Sequence, residues 1–422
     1  MRSVIKNVHL LDGTTDYGTG DLYIKDSLIE GINLSGEVDE TIDGSGLTLC
    51  PAFIDLHAHL REPGQEVKED LASGLAAAAA GGFGSVVSMA NTKPTVDEAG
   101  IVADLVAKAR KIGQARLFPA ASLSHGLKGE TLTDFGALKQ AGAVMITDDG
   151  IPVQDSHLMR RACEYARELD LVIQTHSEDP GLRQSGVMNE GLVSQRLGLP
   201  GNPISAEAIM IFRDCEVAAM TGARVHIAHV SSKRGMQVIE WFKAQGHTNI
   251  TAEVTPHHLT LDDSVFESFD TIYKVAPPLR TAEDVAYLRK AITKGVVDSI
   301  GTDHAPHTQA EKDLDMLQAP FGIPNIELTF PLLYSELVEK GAITLTRLIE
   351  LLTVGPAKVM KWDIPTLEAG KAADLVLLDL ATEKPVTPKS FKSKAKFSPW
   401  TGQNLKGWPV RTLVAGKPVY SA

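Results

Sequence analysis

The sequence predicts an α/β protein: a (β/α)8, or TIM, barrel with a small β-sandwich domain built from both chain termini. Three observations predict it. Through the middle of the chain, short continuous apolar runs alternate with helix-like stretches. Eight such runs can be counted over roughly 250 residues, the size of a closed barrel of this type. Both ends of the chain instead alternate residue by residue and are broken by turns, which is a hairpin pattern.

The runs, in order, are AFIDLH (52–57), SVVSMA (85–90), ARLFPA (115–120), AVMITD (143–148), LVIQTH (171–176), ARVHIAH (223–229), NITAEVT (249–255) and VVDSIGTD (296–303). Unbroken apolar character means burial on both faces, as in a parallel sheet covered by helices. The stretches between them, such as KEDLASGLAAAAAGG, DEAGIVADLVAKARKIG, SHLMRRACEYARELD, ISAEAIMIFRDCEVAAMTG and SKRGMQVIEWFKAQG, repeat apolar residues at helical spacing and often close on glycine. The alanines at 76–80 predict a helix packed closely on the barrel. An open doubly wound sheet is the alternative, but no glycine-rich fingerprint follows the first run. At the ends, SVIKNVHLLDG and GDLYIKDSLIEGINL, then AADLVLLDL (372–380) and VRTLVAGKPVYSA (410–422), predict strands that pair across the termini. The expected division is residues 1–50 plus 362–422 for the β domain and 51–361 for the barrel. Gly370 and Lys371 fall at a turn entering a buried strand, and five lysines between Lys384 and Lys396 form a basic run that reads as a solvated loop.

Composition excludes several classes. A formal net charge of −12 argues against nucleic acid as a partner. No stretch approaches the ~20 apolar residues of a membrane span, and the start, MRSVIKNVHLLDG, lacks the apolar core of a signal peptide. Cys50, Cys163 and Cys215 are far apart and show no CxxC spacing, which predicts reduced structural thiols and a cytoplasmic location.

Chemistry in a β/α barrel sits where the strands end. The first run ends in His57 and His59, which as i and i+2 share a strand face. The fourth ends in Asp148 and Asp149, the fifth in His176, the sixth in His229 and the eighth in Asp303. Any one of these is more often a hydrogen-bonded loop residue than a ligand. Together they gather on one face, which favours a metal site. Imidazole and carboxylate donors suit zinc, with manganese or cobalt as substitutes. The number of ligand groups exceeds the need of one tetrahedral ion, so two ions sharing a carboxylate fit better, and such a pair hydrolyses carbonyl or phosphoryl compounds. Arg61 follows directly as a two-pronged anion donor; its bland reading is a salt bridge to Glu62 or Glu66.

The motifs DLHAHLREPGQEVKED (55–70), MANTKP (89–94), ITDDG (146–150), HSED (176–179), HIAHVS (226–231), AEVTPHHL (252–259), PPLR (277–280), GTDHAPH (301–307) and APFG (319–322) resemble the amidohydrolase superfamily, and within it the dihydroorotases of the bacterial, 420-residue type. That resemblance implies zinc-dependent, reversible hydrolysis of (S)-dihydroorotate to N-carbamoyl-L-aspartate, the third step of de novo pyrimidine synthesis. It implies two Zn2+ per chain: one held by His57, His59 and Asp303, the other by His176 and His229, with Asp149 and a hydroxide bridging them. Asp148 is the rival for the bridge on sequence alone. Asp303 would also be the catalytic proton carrier. Substrate would be held by His59, Arg61, Asn91, His307, Phe321 and Gly322. A homodimer and a possible aspartate transcarbamoylase partner are further implications.

One departure stands out. Relatives commonly read NPPLR, whereas this chain has Ala276 before Pro277, and alanine has no side-chain donor or acceptor. That departure keeps alive a second reading, the same chemistry on a hydantoin, dihydropyrimidine or allantoin ring, which turnover of dihydrouracil would reveal and against which Arg61 and Asn91 argue; a third, a silent scaffold for a transcarbamoylase that would bind no metal, is disfavoured because all six ligand residues are kept. The polar segment 308–320 reads equally as a lid or as an ordinary surface loop.

Overall fold

The computed structural model describes residues 1–422. Eight parallel strands form a nearly closed barrel: Phe53–Ala58, Phe83–Ser88, Arg116–Ala121, Met145–Thr147, Val172–Thr175, Arg224–Ile227, Ile250–Val254 and Ser299–Ile300, each paired with the next in chain order. Every one lies within or overlaps an apolar run of the sequence. The last is the shortest, because Gly301-Thr302-Asp303 leave the ladder to make the closing seam.

That seam joins the first strand to the last. The backbone N–H of Asp303 donates to His57 O at 2.9 Å, and that of His59 to His304 O at 2.8 Å. The fully buried Asp55 carboxylate accepts from the Thr302 N–H at 3.0 Å, the Thr302 hydroxyl at 2.6 Å and the His57 N–H at 3.1 Å. Burial raises the Asp55 pKa to about 7 in spite of those bonds.

The helices expected from sequence are present at Leu71–Ala80, Ala99–Ile112, Ser156–Glu168, Ile204–Thr221 and Lys233–Ala244. Asp70 and Ser73 form a reciprocal capping box at the start of the alanine-rich helix. Gly222, at φ +71°, ends the Ile204–Thr221 helix in the left-handed conformation that glycine adopts without strain. The alanines make the Leu71–Ala80 helix thin enough to lie between barrel and terminal sheet. Thr412, on a terminal strand, donates its hydroxyl to Ala79 O at 2.7 Å.

The β-rich terminal part draws strands from both ends of the chain. Arg2–Leu11 pairs antiparallel with Asp16–Lys25, which pairs with Leu28–Ile32. The other edge of Arg2–Leu11 forks: its first half runs parallel to Glu40–Asp43 and its second half to Thr48–Pro51. Thr48–Pro51 then pairs with Leu375–Asp379, followed by Trp408–Val414 and Lys417–Ser421. Gly370, at φ +87°, makes the turn before Leu375–Asp379.

The basic run is solvated as expected but also anchored. Lys392, Lys394 and Lys396 are exposed, while Phe391, Ser393, Ala395 and Phe397 alternate inward. The backbone N–H groups of Lys392 and Ser393 donate to the Glu327 carboxylate. Phe391 and Trp400 join Phe266, Leu279 and Met316 in a second, smaller core beside the 308–320 segment.

Asp55→Ala would strand the N–H groups of Thr302 and His57 in a dry seam, leaving the Thr302 hydroxyl only His57 O at 3.2 Å. It is expected to lower stability by about 2–3 kcal/mol, measured by denaturant unfolding. An unshifted midpoint would remove Asp55 from the closure of the barrel.

Candidate metal centre

The seam sets two strand ends side by side. His57 and His59 leave the first strand toward the barrel axis, with ring centroids 5.4 Å apart. Asp303 arrives from the last: His59 Nε2 is 3.1 Å and His57 Nε2 is 3.7 Å from its Oδ1. Asp149, His176 and His229 complete the cluster. Asp149 Oδ1 lies 3.4 Å from His57 Nε2, 3.6 Å from His176 Nδ1 and 3.5 Å from His229 Nε2, and its Oδ2 lies 3.5 Å from His59 Nε2. All six side chains are buried.

The neighbouring aspartate goes elsewhere. Asp148 accepts from the backbone N–H groups of Leu123 and Ser124, at 2.7 and 3.0 Å, and from the Ser124 hydroxyl. Successive residues diverge, so only Asp149 faces the histidines. The backbone at this face is strained: Arg61 (φ +63°), His229 (φ +35°) and Asp303 (φ +46°) all adopt positive φ. That conformation is uncommon for residues with a Cβ and concentrates at functional sites.

The cluster has the donor set of a metal centre. His57 Nδ1 is 2.9 Å from Glu253 Oε1 and His59 Nδ1 is 3.0 Å from Asn91 Oδ1. Both acceptors take the ring N–H, so the Nε2 lone pair of each histidine faces carboxylate oxygens. His57 Nε2 and Asp149 Oδ1 are buried and have no hydrogen-bond partner. His176 Nδ1 and His229 Nε2 meet at 2.9 Å. Lone pairs converging in a dry site repel unless a cation or shared protons lie among them. Two sets of three donors, His57/His59/Asp303 and His57/Asp149/His229, each have their ligand atoms within 4.8 Å of one another. The residues present therefore fit a divalent ion.

With only protons to place among these groups, the same crowding shifts their titration. Burial opposes charge on His57, yet the Asp149 and Glu253 carboxylates raise its pKa well above the ordinary value. His176 rises to about 9 against burial, through Asp149 and Glu178. Burial would raise the Asp149 and Asp303 carboxyls, but the surrounding histidines hold both far below the usual range. Glu253, shared by His57 and by His226 Nε2 at 3.1 Å, is held at about 2 despite its burial. A carboxylate behind a ligating imidazole fixes its tautomer and strengthens it as a donor.

The cavity over the cluster has a volume of about 150 Å³. Its lining includes His59, Arg61, Asn91, Ala276, Phe321 and Gly322. Arg61 is not paired with Glu62 or Glu66. It is buried, with Nε donating to Pro306 O at 3.0 Å and Nη2 3.1 Å from His307 Nε2. Burial lowers its pKa to about 10, which leaves it charged at neutral pH. Asn91 lines the cavity but also orients His59. His307 stands behind Arg61 rather than on the lining, with Nε2 2.8 Å from Phe321 O and Nδ1 3.2 Å from Lys68 Nζ. Burial, then Arg61, Lys312 and Lys68, push its pKa down to about 2, so it is neutral. The segment 308–320 is tied in place: Lys312 Nζ donates to Thr271 O, Lys274 O and Pro320 O at 3.0–3.2 Å, and Lys274 Nζ to Ala319 O at 2.6 Å.

Sequence reasoning assigned no role to the seventh strand, yet that strand supplies Glu253. A lone acid inside the apolar run NITAEVT was the available signal. It also passed over His257 and His258. His257, lowered to about 4 by burial, accepts from Asn325 Nδ2 at 3.1 Å and aims Nε2 at Asp303 Oδ2, 3.9 Å away. His258 Nε2 donates to Pro277 O at 3.0 Å and so holds the Ala276 wall.

A barrel with imidazoles and carboxylates gathered at the C-terminal ends of its strands defines a hydrolase of the amidohydrolase kind. Solved structures share the architecture. An L-hydantoinase (dihydropyrimidinase) from Arthrobacter aurescens superposes with a TM-score of 0.89 over 99% of this chain and 96% of its own, at 24% identity, which speaks to fold alone. The sequence is closer to another group. The family model described as Dihydro-orotase-like matches residues 46–235. The dihydroorotase of Deinococcus radiodurans is 54% identical over 402 residues, 95% of this chain and 96% of that protein. That of Thermus aquaticus is 49% identical over 99% of both. The chain belongs to the dihydroorotase family and is a cyclic amidohydrolase. No helix is long and apolar enough to cross a membrane.

Glu253→Gln keeps the shape of the side chain and removes its charge. It is expected to weaken retention of a divalent ion by about 10–100-fold, read by competition with a chelator. Unchanged retention would show that the carboxylate does not support His57 as a donor.

Proposed function

We propose that this chain catalyses the reversible hydrolysis of (S)-dihydroorotate to N-carbamoyl-L-aspartate, a step of pyrimidine synthesis, using two zinc ions. The observation that carries the reading is the buried Arg61 guanidinium on the wall of the same small cavity as the histidine–carboxylate cluster. A charged donor beside a hydrolytic centre suits a cyclic amide that bears a carboxylate. His57, His59 and Asp303 would hold one ion, His176 and His229 the other, with Asp149 between them. Bound there, the ions supply a water of lowered pKa and a Lewis acid for the ring carbonyl.

The chain's own groups do the rest. Arg61 takes the substrate carboxylate, with Asn91 and the Phe321-Gly322 backbone shaping the cavity around the ring; His307 fixes Arg61 from behind. Asp303 accepts a proton from the attacking water and passes it to the ring nitrogen as the carbon–nitrogen bond breaks. Ring opening yields one new carboxylate and a ureido group, and the reverse path recloses the ring. We further propose the division at residues 1–50 plus 362–422 and 51–361, a cytoplasmic location, a homodimer, and aspartate transcarbamoylase as a possible partner.

The apolar Ala276 on the wall favours a second reading, in which the ring is neutral. Comparing L-dihydroorotate with dihydrouracil separates the two: preference for dihydrouracil would overturn the first. Metal-replete protein is expected to hydrolyse L-dihydroorotate, to lose activity with chelator and to regain it with zinc. Asp303→Asn is expected to lower kcat by about 10²–10⁴-fold, with metal content measured on the same sample. Full activity in that variant would exclude Asp303 as proton carrier.

A further inference from the structure

A second guanidinium lines the cavity. Arg183 ends the short helix Pro180–Arg183, which follows the fifth barrel strand and is capped by Asp179. It is held from one side only. Its Nε lies 3.1 Å from Glu178 Oε2, without the alignment of a hydrogen bond. Its guanidinium carbon sits 4.8 Å from the centre of the Phe321 ring, a cation–π contact. Neither Nη1 nor Nη2 makes a hydrogen bond to protein, and Glu178 is the one acidic partner of the guanidinium.

Of the neighbouring cations, Lys274 is engaged with backbone carbonyls and Arg61 is the one assigned above to the substrate carboxylate. Lys274 Nζ, 4.5 Å from the same ring, donates to Leu317 O and Ala319 O. Arg61 donates its Nε to Pro306 O, and its Nη2 packs 3.1 Å from His307 Nε2. Arg183 thus presents a free two-nitrogen edge to a cavity where Ala276 offers only a methyl group. A free guanidinium edge is a planar, charged, bidentate donor.

We propose that Arg183 is a substrate-contacting residue that determines specificity. On the proposed reading of the substrate as a cyclic ureide, it donates to the ureide carbonyl oxygen, the one not attacked. When the carbon–nitrogen bond breaks, the electron pair left on the ring nitrogen delocalises onto that oxygen before the nitrogen is protonated. A donor there binds the transition state more tightly than the ground state. Glu178 couples this grip to the hydrolytic cluster. Its Oε2, beside Arg183, is also 3.5 Å from His176 Nε2, while its Oε1 accepts from Asn202 Nδ2 at 2.6 Å.

The test uses the full metal-replete chain and two substrates: L-dihydroorotate and its analogue with sulfur in place of the ureide oxygen, a poorer acceptor. Wild-type protein is expected to turn over dihydroorotate and to favour oxygen over sulfur. Arg183→Met is expected to lower kcat and kcat/KM for dihydroorotate together, by about 10²-fold, and to abolish the oxygen preference with metal content unchanged. Ala276→Asn in the Arg183→Met background is expected to restore part of the loss by returning a neutral donor to the wall. Equal losses on both substrates would mean that Arg183 acts only through Glu178 and His176, and would overturn the proposal, as would unchanged kinetics. Should Arg183→Met lose metal or unfold early, Arg183→Leu, which also removes every donor, is read by the same oxygen-to-sulfur ratio: a retained ratio overturns the proposal and a diminished one supports it. No turnover of dihydroorotate by metal-replete wild-type protein would instead overturn the substrate reading itself, and this inference with it.

Discussion

The site depends on one seam. Between the first and last barrel strands, backbone bonds link His57 and His59 to Asp303 and His304, and the Asp55 carboxylate binds Thr302 beside them. These two strand ends are some 245 residues apart in sequence, so bringing them into contact carries a large loop-closure cost that local structure cannot offset. Only the packed barrel holds them there. If the seam opened, His57 and His59 would separate from Asp303, and one of the two donor sets would cease to exist.

Closing the seam creates an electrostatic problem that the surroundings resolve in layers. Carboxylates and imidazoles crowd a dry volume where unpaired charge is costly. Glu253 and Asn91 take the outer nitrogens of His57 and His59, and Glu178 lies near that of His176. The inner nitrogens are thereby left as lone pairs aimed at one region. A centre of this kind needs its histidines to be donors of electron pairs, so the outer groups matter as much as the inner ones. The positive φ of Arg61, His229 and Asp303 is consistent with side chains placed by the site rather than by the backbone's own preference.

The cavity walls come from loops, and these are fixed from outside the barrel. Lys312 and Lys274 tie the 308–320 segment to 271–275, and the second core with Met316, Phe391 and Trp400 braces it against the C-terminal segment. A larger cleft of about 640 Å³, lined by residues such as Val106, Leu117 and Phe118, lies at the other end of the strands. Its size reflects an apolar gap between helices and terminal sheet. It contains none of the hydrolytic groups, which is why the smaller cavity is the site.

The sequence by itself determined the eight strands, the main helices, the pairing of the two termini, the inner histidines and Asp303. All of these follow from local periodicity and from which residue types end an apolar run, and both are written in consecutive residues. It left open which of Asp148 and Asp149 faces inward, because adjacent residues point apart and nothing local says which way. It did not disclose Glu253 behind His57, Arg183 across Phe321, His307 behind rather than on the cavity wall, or the lysines that fasten 308–320. Those placements depend on distances between segments remote in sequence. Only tertiary structure decides them, because a buried charge's partner is chosen by packing and desolvation in the closed barrel, not by its neighbours along the chain.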